Sequence, residues 1–115
     1  MRGAVVFVNL PPPRRPPTHV QAGRRPAVIV HTEGSKGALP VTLLVPGTSN
    51  LNAVSFPHTV RVDPSAENGL ALPTIFLCFQ VQPADKRIIE LPARGRLSTQ
   101  DLERVDQALR EVLAL

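Results

Sequence analysis

A single cysteine, Cys78, and the absence of tryptophan and tyrosine mark this 115-residue sequence. One thiol cannot close an intrachain disulfide, and a Cys-based zinc site is excluded with it. Cys78 sits in an apolar run, where it is expected to pack as a small hydrophobe. The histidines His19, His31 and His58 are scattered, so no metal site is expected. There is no glycine-rich phosphate loop, and no cofactor is expected either. No apolar run approaches the length of a membrane span, since Ala4 to Val8 ends at Asn9. With no signal-peptide pattern, the expectation is a cytoplasmic protein without membrane contact.

Carboxylates are missing from the N-terminal quarter. The first is Glu33, and Arg2, Arg14, Arg15, Arg24 and Arg25 precede it, giving +5 over residues 1–32. From Ser98 onward the balance is −2, through Asp101, Glu103, Asp106 and Glu111 against Arg104 and Arg110. The basic end points to an anionic partner, foremost a nucleic-acid backbone, or to no more than a solubilising surface. Aromatic content is 3%, all of it Phe7, Phe56, Phe76 and Phe79. Sequence-reading proteins stack unpaired bases on aromatic or arginine planes. Phe7 and Phe76 have core-like surroundings, so base recognition here is expected to rest on arginine stacking and backbone hydrogen bonds.

Proline is what the sequence has in quantity, 13 residues from Pro11 to Pro92. Lacking an N–H and clashing with the preceding turn, they confine any long helix to the C-terminal end. Hydrophobic residues make up 43%, enough for one small core and a single domain over residues 1–115. Short strands are predicted at 4–8, 27–30, 41–45, 58–62, 74–81 and 87–91. The loop over 11–23 begins with a stiff, Pro-rich half. Turn residues gather at 33–37 and 63–69. This pattern indicates a mainly β fold, a small closed or nearly closed barrel. A helix should follow Ser98, whose hydroxyl can cap the Asp101 N–H, with Leu97 and Leu102 as a staple. Leu102, Val105, Leu109, Val112 and Leu113 form its apolar stripe, and Asp106 and Arg110 can pair across one turn.

Two segments carry candidate chemistry. Gly23-Arg24-Arg25-Pro26 stands where the basic loop enters the second strand. A guanidinium matches a phosphate bidentately and keeps its charge at any relevant pH. Thr48 and Ser49 follow the third strand, so their hydroxyls and nearby N–H groups sit at a strand end. Together these groups could cradle the extra negative charge of a pentacoordinate phosphate. RNA supplies its own 2′-OH nucleophile, so such a site can cut it without metal. Taken singly, each segment also reads as plain turn chemistry.

The order Gln21-Ala22-Gly23-Arg24-Arg25-Pro26, Val45-Pro46-Gly47-Thr48-Ser49-Asn50, Leu77-Cys78-Phe79-Gln80 and Gly95-Arg96-Leu97-Ser98 with its helix resembles the MazF/PemK toxins over nearly the whole chain. The resemblance implies a small SH3-like (PemK/CcdB-type) β-barrel with a C-terminal α-helix. It implies a homodimer that cleaves single-stranded RNA at short motifs without metal, held in check by a MazE-like antitoxin. By residue match, Arg25 is the catalytic arginine and Thr48 the hydroxyl on the scissile phosphate. Arg14, Arg15, Arg24, Gln21, Ser49, Asn50 and Gln80 are the expected RNA-binding residues. The sequence departs from the family at Val20, where a candidate general-base Glu is usual. Phe7 and Asn9 replace a usual Trp and Asp, and Phe79 stands where an acidic residue is common. His19 is the nearest substitute base, since imidazole titrates near neutrality; His58 is a second. Two alternatives keep the fold: a catalytically weak protein that binds RNA or antitoxin, and a gyrase-directed toxin.

Overall fold

The computed structural model describes residues 1–12, 21–32 and 39–115. Seven strands and one helix follow in the order β1 (Ala4–Leu10), β2 (Gly23–Ile29), β3 (Val41–Thr48), β4 (Thr59–Val62), β5 (Thr74–Leu77), β6 (Gln82–Asp85), β7 (Ile89–Arg96) and α1 (Thr99–Leu113). The strands form one antiparallel sheet in the order β4-β5-β3-β2-β1-β7, with β6 also on β3. The expected closure is not complete, because no ladder joins β4 to β7 among the described residues. Instead α1 packs against β4, and Val105 and Ala108 bury with Val60 and Val62. A helix face here seals the core that a further strand pairing would close.

The β-branched runs of β1 and β2 are apolar on both sides because both sides are buried. Val5 and Val28 join Val45, Phe76, Cys78, Leu97 and Val105 on the helix side. Val6, Val8, Ala27 and Ile29 meet Leu44 and Ala84 on the other. Such two-sided burial favours continuous apolar strands over alternating ones. Cys78 is fully buried, as expected of a small hydrophobe.

The apolar stretch 74–81 is not one strand. A 3-10 turn at Cys78–Gln80 separates β5 from β6, and both halves lie along one edge of β3. β5 pairs with Gly47 and Thr48, while β6 pairs with Val41 through Leu44. The interruption turns Phe79 and Gln80 out of the ladder. A second 3-10 turn, Lys86–Ile88, takes the start of the predicted 87–91 strand, and β7 runs on to Arg96.

The helix starts as predicted, with the Ser98 hydroxyl accepting from the Asp101 N–H at 3.1 Å. Its buried residues are Val105 and Ala108, with Leu102 and Leu109 half-buried, whereas Leu113 is exposed. The expected Asp106–Arg110 pair does not form. Asp106 pairs with Arg2 from the N-terminus, because it projects toward the start of β1 and not along the helix. The proline-rich part of the 11–23 loop from Pro13, and the turn over 33–37, fall outside the described residues.

Candidate RNA-contact site at the ends of β2 and β3

The β2–β3 ladder stops at Ala27 opposite Pro46. Pro26 and Pro46 each lack an N–H at this point, so the strands lose donors and part. Arg25 and Thr48 lie beyond this last pair, Arg25 opposite Val8 of β1 and Thr48 opposite Ile75 of β5. Gly23, with φ +79°, turns the chain into β2 just before the arginines, a conformation other residues adopt at a cost. On β3, Gly47 lies against β5 so closely that an added Cβ would sit 2.6 Å from Thr74 Cγ2 and 3.2 Å from the Phe76 ring. Its missing side chain lets the end of β3 settle on β5 and fixes where Thr48 emerges.

Arg24 and Arg25 diverge, as consecutive strand residues must. Arg24 forms a bidentate pair with Glu90, at 2.7 and 3.1 Å, and lies 4.2 Å over the Phe7 ring. Arg94 covers the same ring from 4.9 Å. The Arg24 hydrogen bond holds the Glu90 carboxyl below the usual glutamate range and raises the guanidinium in turn. Arg24, expected to touch RNA, is therefore engaged on the opposite face. Arg25 is half-buried and donates from Nε to the Ala22 carbonyl at 3.0 Å. Among the described residues no carboxylate pairs with it. Anchoring through Nε leaves the outer edge of the guanidinium, the edge that forks onto phosphate.

Thr48 is 6% exposed, and its hydroxyl accepts from the Asn50 N–H at 3.1 Å. With that lone pair engaged, its proton has no acceptor among the described residues. Asn50 in turn caps the 3-10 turn Leu51–Ser55, its carbonyl accepting from the Asn52 N–H at 3.1 Å. On the far wall, the Gln21 N–H donates to Gln80 Oε1 at 2.9 Å. These residues line one open cavity of about 410 Å³ with Phe56 and Phe79, whose rings stand 5.7 Å apart at 57°. The structure thus brings Gln21, Thr48, Asn50 and Gln80 together. Ser49 is exposed and outside the lining.

Arg14, Arg15 and His19 lie outside the described residues, as does Val20. His58 is not part of the cavity. It precedes β4 with φ +59°, and its Nδ1 lies 3.4 Å from Glu111 of α1, near enough to pair when protonated but not aligned as a hydrogen bond. His31 lines a separate cavity of about 270 Å³ with Ile29, Thr42 and Lys86, toward the other end of β2 and β3. Burial, with the Asp106 charge, pushes the Cys78 thiol up to about 12 and makes it a poor nucleophile. Among the described residues no group of three His, Cys, Asp or Glu side chains could hold a metal, and no helix is long and apolar enough to cross a membrane. Sequence reasoning missed Asn52, Ser55, Phe56 and Phe79 as cavity residues. Their only signal was polar and aromatic character beside segments already singled out.

The profile of a family described as PemK-like, MazF-like toxin of type II toxin–antitoxin systems matches residues 1–113. Among solved structures, a MazF from Deinococcus radiodurans superposes with a TM-score of 0.77 at 24% identity, covering 99% of this chain and 96% of the other. The Mycobacterium tuberculosis toxin MazF-mt6 gives 0.74 at 20% identity, covering 97% of each. An endoribonuclease from a mycobacterial species, solved with its cognate antitoxin, gives 0.75 at 18% identity, covering 100% and 95%. At these identities the structures are alike in fold. No curated sequence matches the chain.

Proposed function

The chain belongs to the family of PemK-like, MazF-like toxins of type II toxin–antitoxin systems, and from that premise we propose that it is a metal-independent endoribonuclease acting on single-stranded RNA. The observation that supports this reading is the cavity at the end of β3, where Thr48 meets Gln21, Asn50 and Gln80, with Arg25 in the neighbouring strand β2 just beyond the last β2–β3 pair. In the reaction, the RNA 2′-oxygen attacks the adjacent phosphorus and its proton passes to a base. The P–O5′ bond breaks, and the leaving oxygen takes a proton to become a 5′-hydroxyl. The other fragment ends in a 2′,3′-cyclic phosphate. Arg25 binds the non-bridging oxygens, and the Thr48 hydroxyl donates to the same phosphate. Both contacts strengthen as charge builds in the pentacoordinate state. Gln21, Ser49, Asn50 and Gln80, with Arg14 and Arg15 of the preceding loop, hold the strand in line.

The base is assigned to His19, the nearest titratable group in sequence to Gln21. Arg24 is left out of the machinery, because Glu90 and Phe7 hold its guanidinium on the other face. The partners on this reading are single-stranded RNA in the cytoplasm, a second copy of the chain, and a MazE-like antitoxin. One observation favours a second reading, binding without cutting: among the described residues no carboxylate or imidazole lines the cavity.

Incubation of the purified protein with a long single-stranded RNA in EDTA separates the two. Discrete cuts bearing 5′-hydroxyl ends, lost in Thr48→Ala, support the nuclease. Absence of cuts at any enzyme excess sinks it and leaves the binding protein. If His19 is the base, His19→Ala lowers the rate by about 10²-fold; an unchanged rate removes it from the mechanism.

A further inference from the structure

Between β4 and β5, residues 63–69 form a turn in which every residue is exposed except Asn68. Asn68 is 3% exposed, and both polar atoms of its carboxamide are engaged. Its Oδ1 accepts from the Ser65 and Leu70 N–H groups, each at 3.0 Å, and its Nδ2 donates to the Asp63 carbonyl at 2.9 Å. The amide cannot be turned round, since donors face one end and a carbonyl the other. The backbone is tied as well. The Asn68 N–H donates to Ser65 Oγ at 3.1 Å, and the Gly69 N–H to the Ser65 carbonyl at 3.1 Å.

This turn is pressed onto β7. Gly69 has φ +67°, and a Cβ there would overlap the Arg94 carbonyl. A Cβ on Gly95 would overlap the Glu67 carbonyl and sit 2.6 Å from the Asn68 carbonyl carbon. The Arg96 N–H donates to the Glu67 carbonyl at 2.8 Å, and Leu70 enters the core with Val62 and Leu97. The main chain at 68–69 therefore has no room to lengthen. Yet the same two residues are chemically the weakest link of the sequence. Asparagine is a labile residue, and a following glycine leaves the next backbone nitrogen unhindered. Of Asn9, Asn50, Asn52 and Asn68, only Asn68 precedes a glycine.

We propose that Asn68–Gly69 is a spontaneous deamidation site, held shut by the fold, which retires any chain in which it reacts. The Gly69 backbone nitrogen loses its proton to solvent and bonds to Asn68 Cγ. The Cγ–Nδ2 bond breaks, and the leaving nitrogen takes a proton from water and departs as ammonia. Water then opens the succinimide at one carbonyl or the other, leaving aspartate or isoaspartate. In the fold, three hydrogen bonds fix the carboxamide and the Gly69 N–H is occupied, so the attack waits for the turn to open. Neither product fits the closed turn. An aspartate sets an oxygen against the Asp63 carbonyl where Nδ2 now donates, at a buried position. An isoaspartate adds a methylene to the main chain where Gly95 lies against it. The inference stands apart from the nuclease reading, since it concerns how long a chain stays foldable and not what it cuts.

Two measurements on the full, unsubstituted chain test it. The first ages the protein at mildly alkaline pH, folded in buffer and unfolded in urea, and follows each asparagine by peptide mass spectrometry. Conversion at Asn68 should run about 10²-fold faster in urea than in the fold, ahead of Asn9, Asn50 and Asn52 in the unfolded chain. Equal rates in the two states overturn the proposal, because the turn then protects nothing. The second dilutes the urea-aged chains out of denaturant and separates the folded, soluble fraction. Chains carrying aspartate or isoaspartate at this position should be depleted from that fraction about tenfold; their recovery in full proportion overturns the claim that reaction retires the chain. Asn68→Asp gives the same answer by another route. It should melt at lower urea than the unsubstituted protein or fail to fold, and an unchanged midpoint counts against the proposal.

Discussion

Arg24 and Arg25 are neighbours in the chain and opposites in the fold. Arg24 is closed into a pair with Glu90 over the Phe7 ring, on the face toward β7. Among the described residues Arg25 is anchored only at Nε, by the Ala22 carbonyl, and no carboxylate pairs with it. The same side chain, one residue apart, is a surface brace in one place and a candidate anion clamp in the other. A positive charge is therefore available for chemistry only where nothing nearby neutralises it. The +5 of the first 32 residues overstates what reaches the site.

A large effect should come even from keeping the charge of Arg25 while removing its fork. Arg25→Lys is expected to lower single-turnover cleavage by about 10²-fold with the fold intact, since lysine is a point charge. Cleavage assays beside circular dichroism spectra check this. Retention of full rate in the lysine variant would reduce Arg25 to a charge. Next comes the support of the other half of the site. Gly47→Ala should destabilise the protein by about 1–3 kcal/mol in urea melts, because its Cβ meets Thr74 and the Phe76 ring. Cleavage should fall with it as Thr48 shifts; a neutral melt would mean that β5 can move aside.

A third prediction contrasts the interior with both arginines. The folded Cys78 thiol titrates at about 12, above its ordinary 9.0. The unfolded chain therefore releases that proton first, so stability is full below pH 9 and falls as pH rises toward 12. Cys78→Ala should flatten that part of the pH–stability curve, and an identical slope would assign the loss elsewhere. The smallest effect belongs to Arg24. Its hydrogen bond depresses the Glu90 carboxyl, so the pair contributes above the ordinary glutamate value and is lost as pH falls through the lowered one. Both groups are exposed, so Glu90→Gln should lower the melting temperature only slightly at neutral pH, less in high salt, and not at all in acid. A large shift would show that the brace holds β2 to β7.

The strand inventory was readable from β-branched runs and turn residues, and the helix from its cap and its stripe at Val105 and Leu109. Of the residues singled out by family order, Gln21, Thr48, Asn50 and Gln80 line one cavity in the fold. The divergence of Arg24 from Arg25 was not readable, because Pro26 suggested that the strand began at Ala27. In the fold β2 starts at Gly23, since its β1 partner accommodates Pro26 opposite Phe7. Phe79 was hidden for another reason. The run 74–81 has the composition of one strand, but β5 ends at Leu77, a 3-10 turn follows, and β6 takes up the same edge of β3 further along. That break is tertiary, and it makes the aromatic wall of the cavity. The open edge between β4 and β7 was equally hidden, since it depends on how α1 docks.

The division between the two arginines is tested most directly by Arg24→Ala and Arg25→Ala measured side by side on one RNA, in EDTA, under single-turnover conditions. The account predicts a loss of about 10²–10³-fold for Arg25→Ala and a change within about threefold for Arg24→Ala. Equal losses in the two variants, or a loss confined to Arg24→Ala, would contradict it.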